Sequence, residues 1–175
     1  MTIKVTKPAI NVIEKLNSGA NLVGRTDSPS FSVYAGSHLY MPNDDTWYKT
    51  IYSNEQWDSH DCISQGSETK DNRFICPPGH AGKYMFNYGA HMTFSTGSDA
   101  HFAMKILQNG EVLHLDMWAI NHSQHRGYGQ WSTVIDLGVG DYVEVFTQWL
   151  GYGWDSSSLF LYGGTNCKFQ GYKLT

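Results

Sequence analysis

Charged side chains are scarce in this chain of 175 residues. Aspartate, glutamate, lysine and arginine make up 16% of it, against about 25% in an average globular protein. The formal net charge is -4 at pH 7, and no run of basic residues occurs that could neutralise the phosphates of a nucleic acid. We therefore expect no nucleic-acid partner and a surface that is polar but largely uncharged.

Long apolar runs are also missing. No window approaches the roughly 20 apolar residues that a membrane-spanning helix needs, so membrane insertion is not expected. The opening residues, Met-Thr-Ile-Lys-Val-Thr-Lys-Pro, lack the apolar core of a secretion signal. We therefore expect the chain to be made in the cytoplasm and not to leave it through a signal peptide.

Cysteine is rare, and its number is odd. Cys62, Cys76 and Cys167 cannot all pair within one chain. Because no export signal is present, reduced thiols are the simpler interpretation, and one internal disulfide is the alternative.

Catalytic motifs are missing as well. The sequence contains no nucleophile elbow, phosphate-cradling loop or glycine fingerprint. Asp44 and Asp45 are adjacent, so their side chains would point apart in an extended chain, and we interpret them as turn formers. His122 and His125 could share an ion, but zinc normally takes three or four ligands and no third ligand accompanies them. We predict a protein that is not an enzyme and leave metal binding open.

Aromatic residues and glycine are abundant instead. Phenylalanine, tryptophan and tyrosine reach 14% of the chain, and the glycines number 18, a composition that suits a turn-rich β-protein. The chain is long enough for one well-filled core and short for two. We predict one domain over residues 31–175, preceded by an arm and linker over residues 1–30.

The most informative stretch is residues 72–94. Pro77, Pro78 and Gly79 interrupt it, because proline removes a backbone donor and glycine permits the positive φ of a reversal. The residues that follow alternate with a period of two, as in a half-buried strand in the middle of a sheet. One face of this predicted strand consists of Tyr84, Phe86, Tyr88, Ala90, Met92 and Phe94.

Short extended segments separated by turns continue along the chain. Asn109-Gly110 lies between two alternating runs, and both residues tolerate the positive φ of a type I′ hairpin turn. Such a series predicts a sandwich or a barrel. The other predicted strands cover residues 31–36, 47–51, 101–108, 111–115, 131–137, 142–148, 158–162 and 169–174.

Several of these segments carry a family resemblance. The sequence resembles the complement one-q globular heads, relatives of the tumour necrosis factor jelly rolls, from about Phe31 to Leu174. His80 and Ala81 make one turn longer than in that family. The matching motifs are Phe74-x-Cys76-Pro77, Gly82-x-Tyr84-x-Phe86-x-Tyr88, Val139-Gly140-Asp141 and Phe169-x-Gly171-x-x-Leu174.

The resemblance implies an all-β jelly-roll sandwich of roughly ten strands that forms a homotrimer. It also implies a non-enzymatic protein that binds its partners through loops and edges. We expect no cofactor. Calcium near the trimer axis is implied by the family, but no residue of this sequence can be assigned as its ligand.

The N-terminal segment differs from the rest. Pro8 could begin a short helix that ends at Gly19, with an apolar stripe of Ile10, Ile13 and Leu16. Such a short helix must dock on something. It either packs on its own domain or anchors the domain to a larger particle. The segment Lys-Pro-x-Ile-Asn-x-x-Glu-Lys-Leu is similar to the N-termini of virion proteins of marine bacteriophages.

Aromatic residues near glycines are the candidate ligand contacts. A sugar ring packs its CH face on an aromatic ring and uses its hydroxyls for hydrogen bonds, so these residues are candidates for carbohydrate or receptor contact. Packing in a subunit interface is the alternative. The candidates are Trp118, His122, His125, Tyr128, Trp149, Tyr152, Trp154 and Asp155.

Together these features predict a structural and binding protein of a bacteriophage particle. Its trimeric head would be held to other virion proteins by the N-terminal arm, as a capsid decoration, a fibre or a tail receptor-binding protein. It would therefore be located in the virion and could bind a cell-surface glycan. The alternative is a lectin-like or cytokine-like trimeric ligand of carbohydrate or protein, exported by a route that the sequence does not show.

Overall fold

The computed structural model describes residues 28–42, 45–65, 72–93, 100–120, 126–151 and 160–175. This part of the chain is all-β, as predicted, and contains no helix. It consequently contains no helix that is long and apolar enough to cross a membrane. The predicted N-terminal helix, with Ile10, Ile13 and Leu16, lies outside the described residues.

Thirteen strands form in the described residues. Four of them contain only two residues, which is too short for an alternating pattern, and this explains why the sequence predicted roughly ten. The strands are β1 Ser30–Ala35, β2 Leu39–Tyr40, β3 Tyr48–Lys49, β4 Asn54–Asp58, β5 Ile63–Ser64, β6 Arg73–Ile75, β7 Gly82–Thr93, β8 Ala100–Gln108, β9 Glu111–Ile120, β10 Arg126–Leu137, β11 Tyr142–Gly151, β12 Phe160–Leu161 and β13 Gly164–Lys173.

The strands make two antiparallel sheets. In sheet 1, β7 pairs with β10 on one side and with β13 and β12 on the other; β13 continues to β1 and β4, and β12 continues to β2. In sheet 2 the order is β5-β6-β11-β8-β9, and β3 also pairs with β11. Within the described residues, β9 and β10 are edge strands of the two sheets.

The alternation predicted for β7 is confirmed. The side chains from Tyr84 to Met92 that occupy every second position are buried, and the residues between them are half-buried. Because β7 has partners on both sides, it runs through the interior of sheet 1, as predicted. Phe94, the last residue of the predicted face, lies outside the described residues.

Four phenylalanine rings join the two sheets at the centre of the core. Phe31 lies 4.9 Å from Phe169 and 5.4 Å from Phe74, and Phe74 lies 5.2 Å from Phe86, measured between ring centroids. Gly171 makes room for them, because a Cβ atom there would lie 2.6 Å from the ring of Phe31. The glycine of the Phe-x-Gly motif is therefore required by packing.

The predicted hairpin at Asn109-Gly110 is confirmed, with φ angles of 52° and 86°. Asn109 Nδ2 donates to Asp141 Oδ1 at 2.8 Å, and Gly138 N donates to Asp141 Oδ2 at 2.7 Å. The hydrogen bond from Asn109, followed by the one from Gly138, lowers the pKa of Asp141. One carboxylate thus ties together the turns that precede β9 and β11.

Two further predictions concern turns and thiols. Asp45 lies in a turn with φ 53°, as predicted, whereas Asp44 lies outside the described residues. Cys62, Cys76 and Cys167 are all free and buried. This agrees with the expected reduced thiols, since no disulfide joins any two of the three.

Replacing Phe169 by alanine should lower the free energy of unfolding by about 3–5 kcal/mol, because the ring is fully buried and contacts three other aromatic rings. Urea denaturation would measure the change. Trp57→Ala is the matched control, since Trp57 is 48% exposed and its loss should cost no more than about 0.5 kcal/mol. Equal losses in the two variants would contradict this description of the core.

Candidate binding surface

Trp149 is not a ligand contact. We expected β11 to end near Gln148 and the tryptophan ring to project from a loop, but β11 continues to Gly151. Residues Val143, Val145 and Trp149 share its core face, and Trp149 is 1% exposed. Its Nε1 donates to the backbone oxygen of Met41 at 3.0 Å. The prediction for Trp149 was therefore wrong, because pairing with β8 extends the strand past the local pattern.

Trp118 on β9 and Tyr128 on β10 differ in how far their side chains are buried. The half-buried ring of Trp118 lies 5.8 Å from Phe102 and packs over Gly129, where a Cβ atom would lie 3.1 Å from it. Trp118 thus joins the edges of the two sheets. Tyr128, on β10, is 59% exposed and stays a candidate contact. The remaining candidates, His122, His125, Tyr152, Trp154 and Asp155, lie outside the described residues.

The structure places Tyr128 beside a row of rings on the outer face of sheet 1. On β7 the residues opposite the core-facing set point outward, and His91 is paired directly with Tyr128. At the other end, Phe160 is paired with Tyr40. We call this row the aromatic strip; it consists of Tyr128, His91, Tyr162, His38, Phe160 and Tyr40.

Five of the six rings contact one another, and His38 lies 6.2 Å from Phe160 between ring centroids. Tyr162 lies 4.4 Å from His38 and 5.3 Å from His91, and Tyr40 lies 5.3 Å from Phe160, measured between ring centroids. Tyr40 and Tyr162 are 43% and 36% exposed. These five rings therefore form one connected surface, which Tyr128 adjoins through its pairing with His91.

Backbone contacts hold the strip in place. Tyr162 N donates to the backbone oxygen of His91 at 2.7 Å. Gly163 N donates to His38 Nδ1 at 2.9 Å, which requires the tautomer of His38 that carries its proton on Nε2. A Cβ atom on Gly163 would lie 2.4 Å from the carbonyl carbon of Ser37, so only glycine allows this close approach.

Uncharged polar side chains cross the same face beside the strip. Ser132 Oγ donates to Asn87 Oδ1 at 2.7 Å, Gln170 Nε2 donates to Ser32 Oγ at 3.1 Å, and Ser32 Oγ donates to Gln56 Oε1 at 2.9 Å. These five residues form a row across β10, β7, β13, β1 and β4, which we call the polar belt. It separates the aromatic strip from the opposite end of the sheet.

A different kind of surface lies on β9. Leu113, Leu115 and Met117 occupy alternate positions of this edge strand and are 49%, 48% and 50% exposed. We call them the β9 stripe. The residues between them face the other way: His114 Nε2 lies 2.7 Å from Asp116 Oδ2, and the His114 ring lies 5.1 Å from Trp131 on β10.

The described residues offer little reactive chemistry. They contain no group of three or more His, Cys, Asp or Glu side chains that could hold a metal ion. Burial raises the pKa of the Cys167 thiol to about 12. Burial, followed by a hydrogen bond to Asp58, also raises the pKa of Cys62, and burial raises that of Cys76. Protonated thiols are poor nucleophiles and metal ligands.

The sequence contains a signal for the strip that the sequence analysis missed. His38-x-Tyr40 and Phe160-x-Tyr162 each place two rings two positions apart, and on a strand such pairs lie on one face. The sequence alone does not show, however, that the two pairs lie next to each other. Only the pairing of β2 with β12, and of β12 with β7, joins them to His91 and Tyr128.

Comparisons with known proteins support the fold. No protein-family model matches the sequence, and no curated protein is similar to it in sequence. Among solved structures, the globular domain of zebrafish complement 1qA protein is similar with a TM-score of 0.50 and 15% identity, over 84% of this chain and 98% of that one. Murine APRIL at pH 5.0 is similar with a TM-score of 0.53 and 12% identity, over 84% and 99%. These likenesses show a jelly roll of the complement one-q and tumour necrosis factor type.

The three thiols should not react with Ellman's reagent at pH 8 in the native protein, because burial keeps them protonated and covered. In urea all three should react within minutes, which supplies the control. Absorbance at the wavelength of the released thiolate would follow both reactions. Release of one equivalent of this thiolate without denaturant would show that one of the three thiols is accessible and would contradict the prediction.

Proposed function

We propose that this chain is a non-enzymatic binding domain that functions as a homotrimer. The observation that carries the proposal is the β9 stripe. Exposed apolar side chains normally occur singly on a monomer, and a contiguous group marks an interaction surface. Leu113, Leu115 and Met117 are contiguous and lie on an edge strand, which proteins usually cover or charge.

A second apolar patch supports a cyclic assembly. On the outer face of sheet 1, beyond the polar belt, Val134 is paired with Met85, which is paired with Tyr172. Val134 and Tyr172 are 49% and 46% exposed. When two different patches of the same chain meet head to tail, the assembly closes into a ring if the rotation permits. We infer that the β9 stripe of one copy packs against this patch, which we call the Val134 patch, of the next copy.

We further propose that the trimer serves a virus particle, most simply that of a bacteriophage. The N-terminal residues Ile10, Ile13 and Leu16 would anchor it to other virion proteins, as a capsid decoration, a fibre or a tail receptor-binding protein. This part of the proposal rests on the sequence of the arm alone. Genes for capsid or tail proteins beside the gene for this chain would favour it.

The alternative is a lectin-like or cytokine-like trimeric ligand. This alternative has the same fold and the same trimer, but the protein must be exported. It would then act as a free protein and not as one attached to a particle. The similarity to complement 1qA and APRIL is compatible with this alternative. A gene neighbourhood without virion proteins, together with the chain in the culture medium, would support it.

The trimer is tested by the mass of the full chain in solution. Light scattering should give three times the chain mass of 19.7 kDa. Leu115→Glu should give the monomer, because it places a charge in the apolar contact, and Val134→Glu should do the same from the other patch.

Val139→Glu is the matched control. Val139 is 54% exposed in the turn between β10 and β11, outside both patches, so this variant should stay trimeric. A wild-type monomer at micromolar concentration would refute the proposal. Trimers in all three variants would show that the contact lies elsewhere.

A further inference from the structure

The aromatic strip differs in chemistry from the two patches assigned to subunit contact. The β9 stripe is aliphatic, and the Val134 patch combines Val134 and Met85 with one tyrosine, Tyr172. The strip has no exposed aliphatic side chain. Its exposed tyrosines, Tyr128, Tyr40 and Tyr162, each join an apolar ring to a hydroxyl, and His38 and His91 join a ring to polar nitrogens. Such groups suit a ligand that presents apolar faces and hydroxyls together.

The shape of the strip is linear and shallow. It crosses four neighbouring strands, β10, β7, β12 and β2, which are spaced about 4.8 Å apart, so it extends over about 15 Å. A Cβ atom on Gly89 would lie 3.0 Å from the Tyr128 hydroxyl, so the ring of Tyr128 leans over β7. This is the outline of a short extended chain rather than of a compact ligand.

The strip contains no aspartate, glutamate, lysine or arginine. In the next row of sheet 1, Gly89 is paired with Gln130 on β10 and with Lys168 on β13. Asn87 and Ser132 of the polar belt form the row after that. Amide and hydroxyl groups can donate to and accept from sugar hydroxyls. An anionic chain would instead require several lysines or arginines along its path.

We propose that the aromatic strip is a binding site for an uncharged carbohydrate chain. Sugar rings stack on Tyr128, Tyr162 and Tyr40, while His38 Nε2–H and the amides of the adjoining rows bind the hydroxyls. The inference does not depend on the trimer. If the trimer forms, its three strips raise the apparent affinity for a repeating polysaccharide by multivalency.

The test is isothermal titration calorimetry of the full chain with four uncharged hexasaccharides: maltohexaose, cellohexaose, laminarihexaose and mannohexaose. The wild type should bind at least one of them. Tyr128→Ala with Tyr162→Ala should weaken that binding by about tenfold or more, because two stacking rings are lost. Tyr162→Phe, which keeps the ring, should retain most of it.

Trp57→Ala is the matched control, because it removes an exposed ring of the same sheet outside the strip and should leave binding unchanged. Circular dichroism and the urea midpoint confirm that each variant folds. The proposal is overturned if the wild type binds none of the four sugars, or if the double variant binds as well as the wild type.

Light scattering on the same variants separates this proposal from self-association. The double variant should keep the mass of the wild type. A change from trimer to monomer would assign the strip to the contact between copies and would overturn the carbohydrate site. A wild-type monomer that binds sugar would refute the trimer and leave the carbohydrate site standing.

Discussion

The alternation of β7 is the constraint on which the rest of the structure depends. Every second side chain from Tyr84 to Met92 enters the core, and a strand of period two must then point the others outward. The same strand therefore supplies the ring of Phe86 to the core and that of His91 to the aromatic strip. Because β7 pairs along both edges, its register also fixes the strands on either side.

The edge strand β9 alternates in the same way as β7, but one of its two edges has no partner among the described strands. At β9 the alternation continues, but only β8 pairs with it among the described strands, and the outward side chains are Leu113, Leu115 and Met117. About half of each remains in contact with water. Burying apolar surface contributes roughly 25 cal/mol per Å², so a second chain that covers this stripe gains a stabilisation that the single sandwich does not provide.

The sequence predicted those features that depend on neighbours in the chain. The alternation of β7 and the Asn109-Gly110 hairpin are local patterns, and both are confirmed. Trp149 was misjudged because its place is determined by a distant strand: β8 pairs with β11 as far as Gly151, which carries the tryptophan into the core. The strip was missed for the same reason, since its residues span positions 38–162 and meet only through the registers of four strands.

The proposed subunit contact and the proposed carbohydrate site differ in the side chains that they present. A permanent subunit contact gains most from aliphatic side chains that lose all contact with water. A reversible contact with a polar ligand instead needs side chains that tolerate both contact with water and contact with the ligand. Tyrosine does so, because its ring packs while its hydroxyl stays hydrated. The polar belt keeps the two kinds of surface apart on one sheet: its serine, asparagine and glutamine side chains bond to one another and so favour neither contact. In the proposed assembly, the subunits would therefore meet at one end of sheet 1 and the carbohydrate would bind at the other.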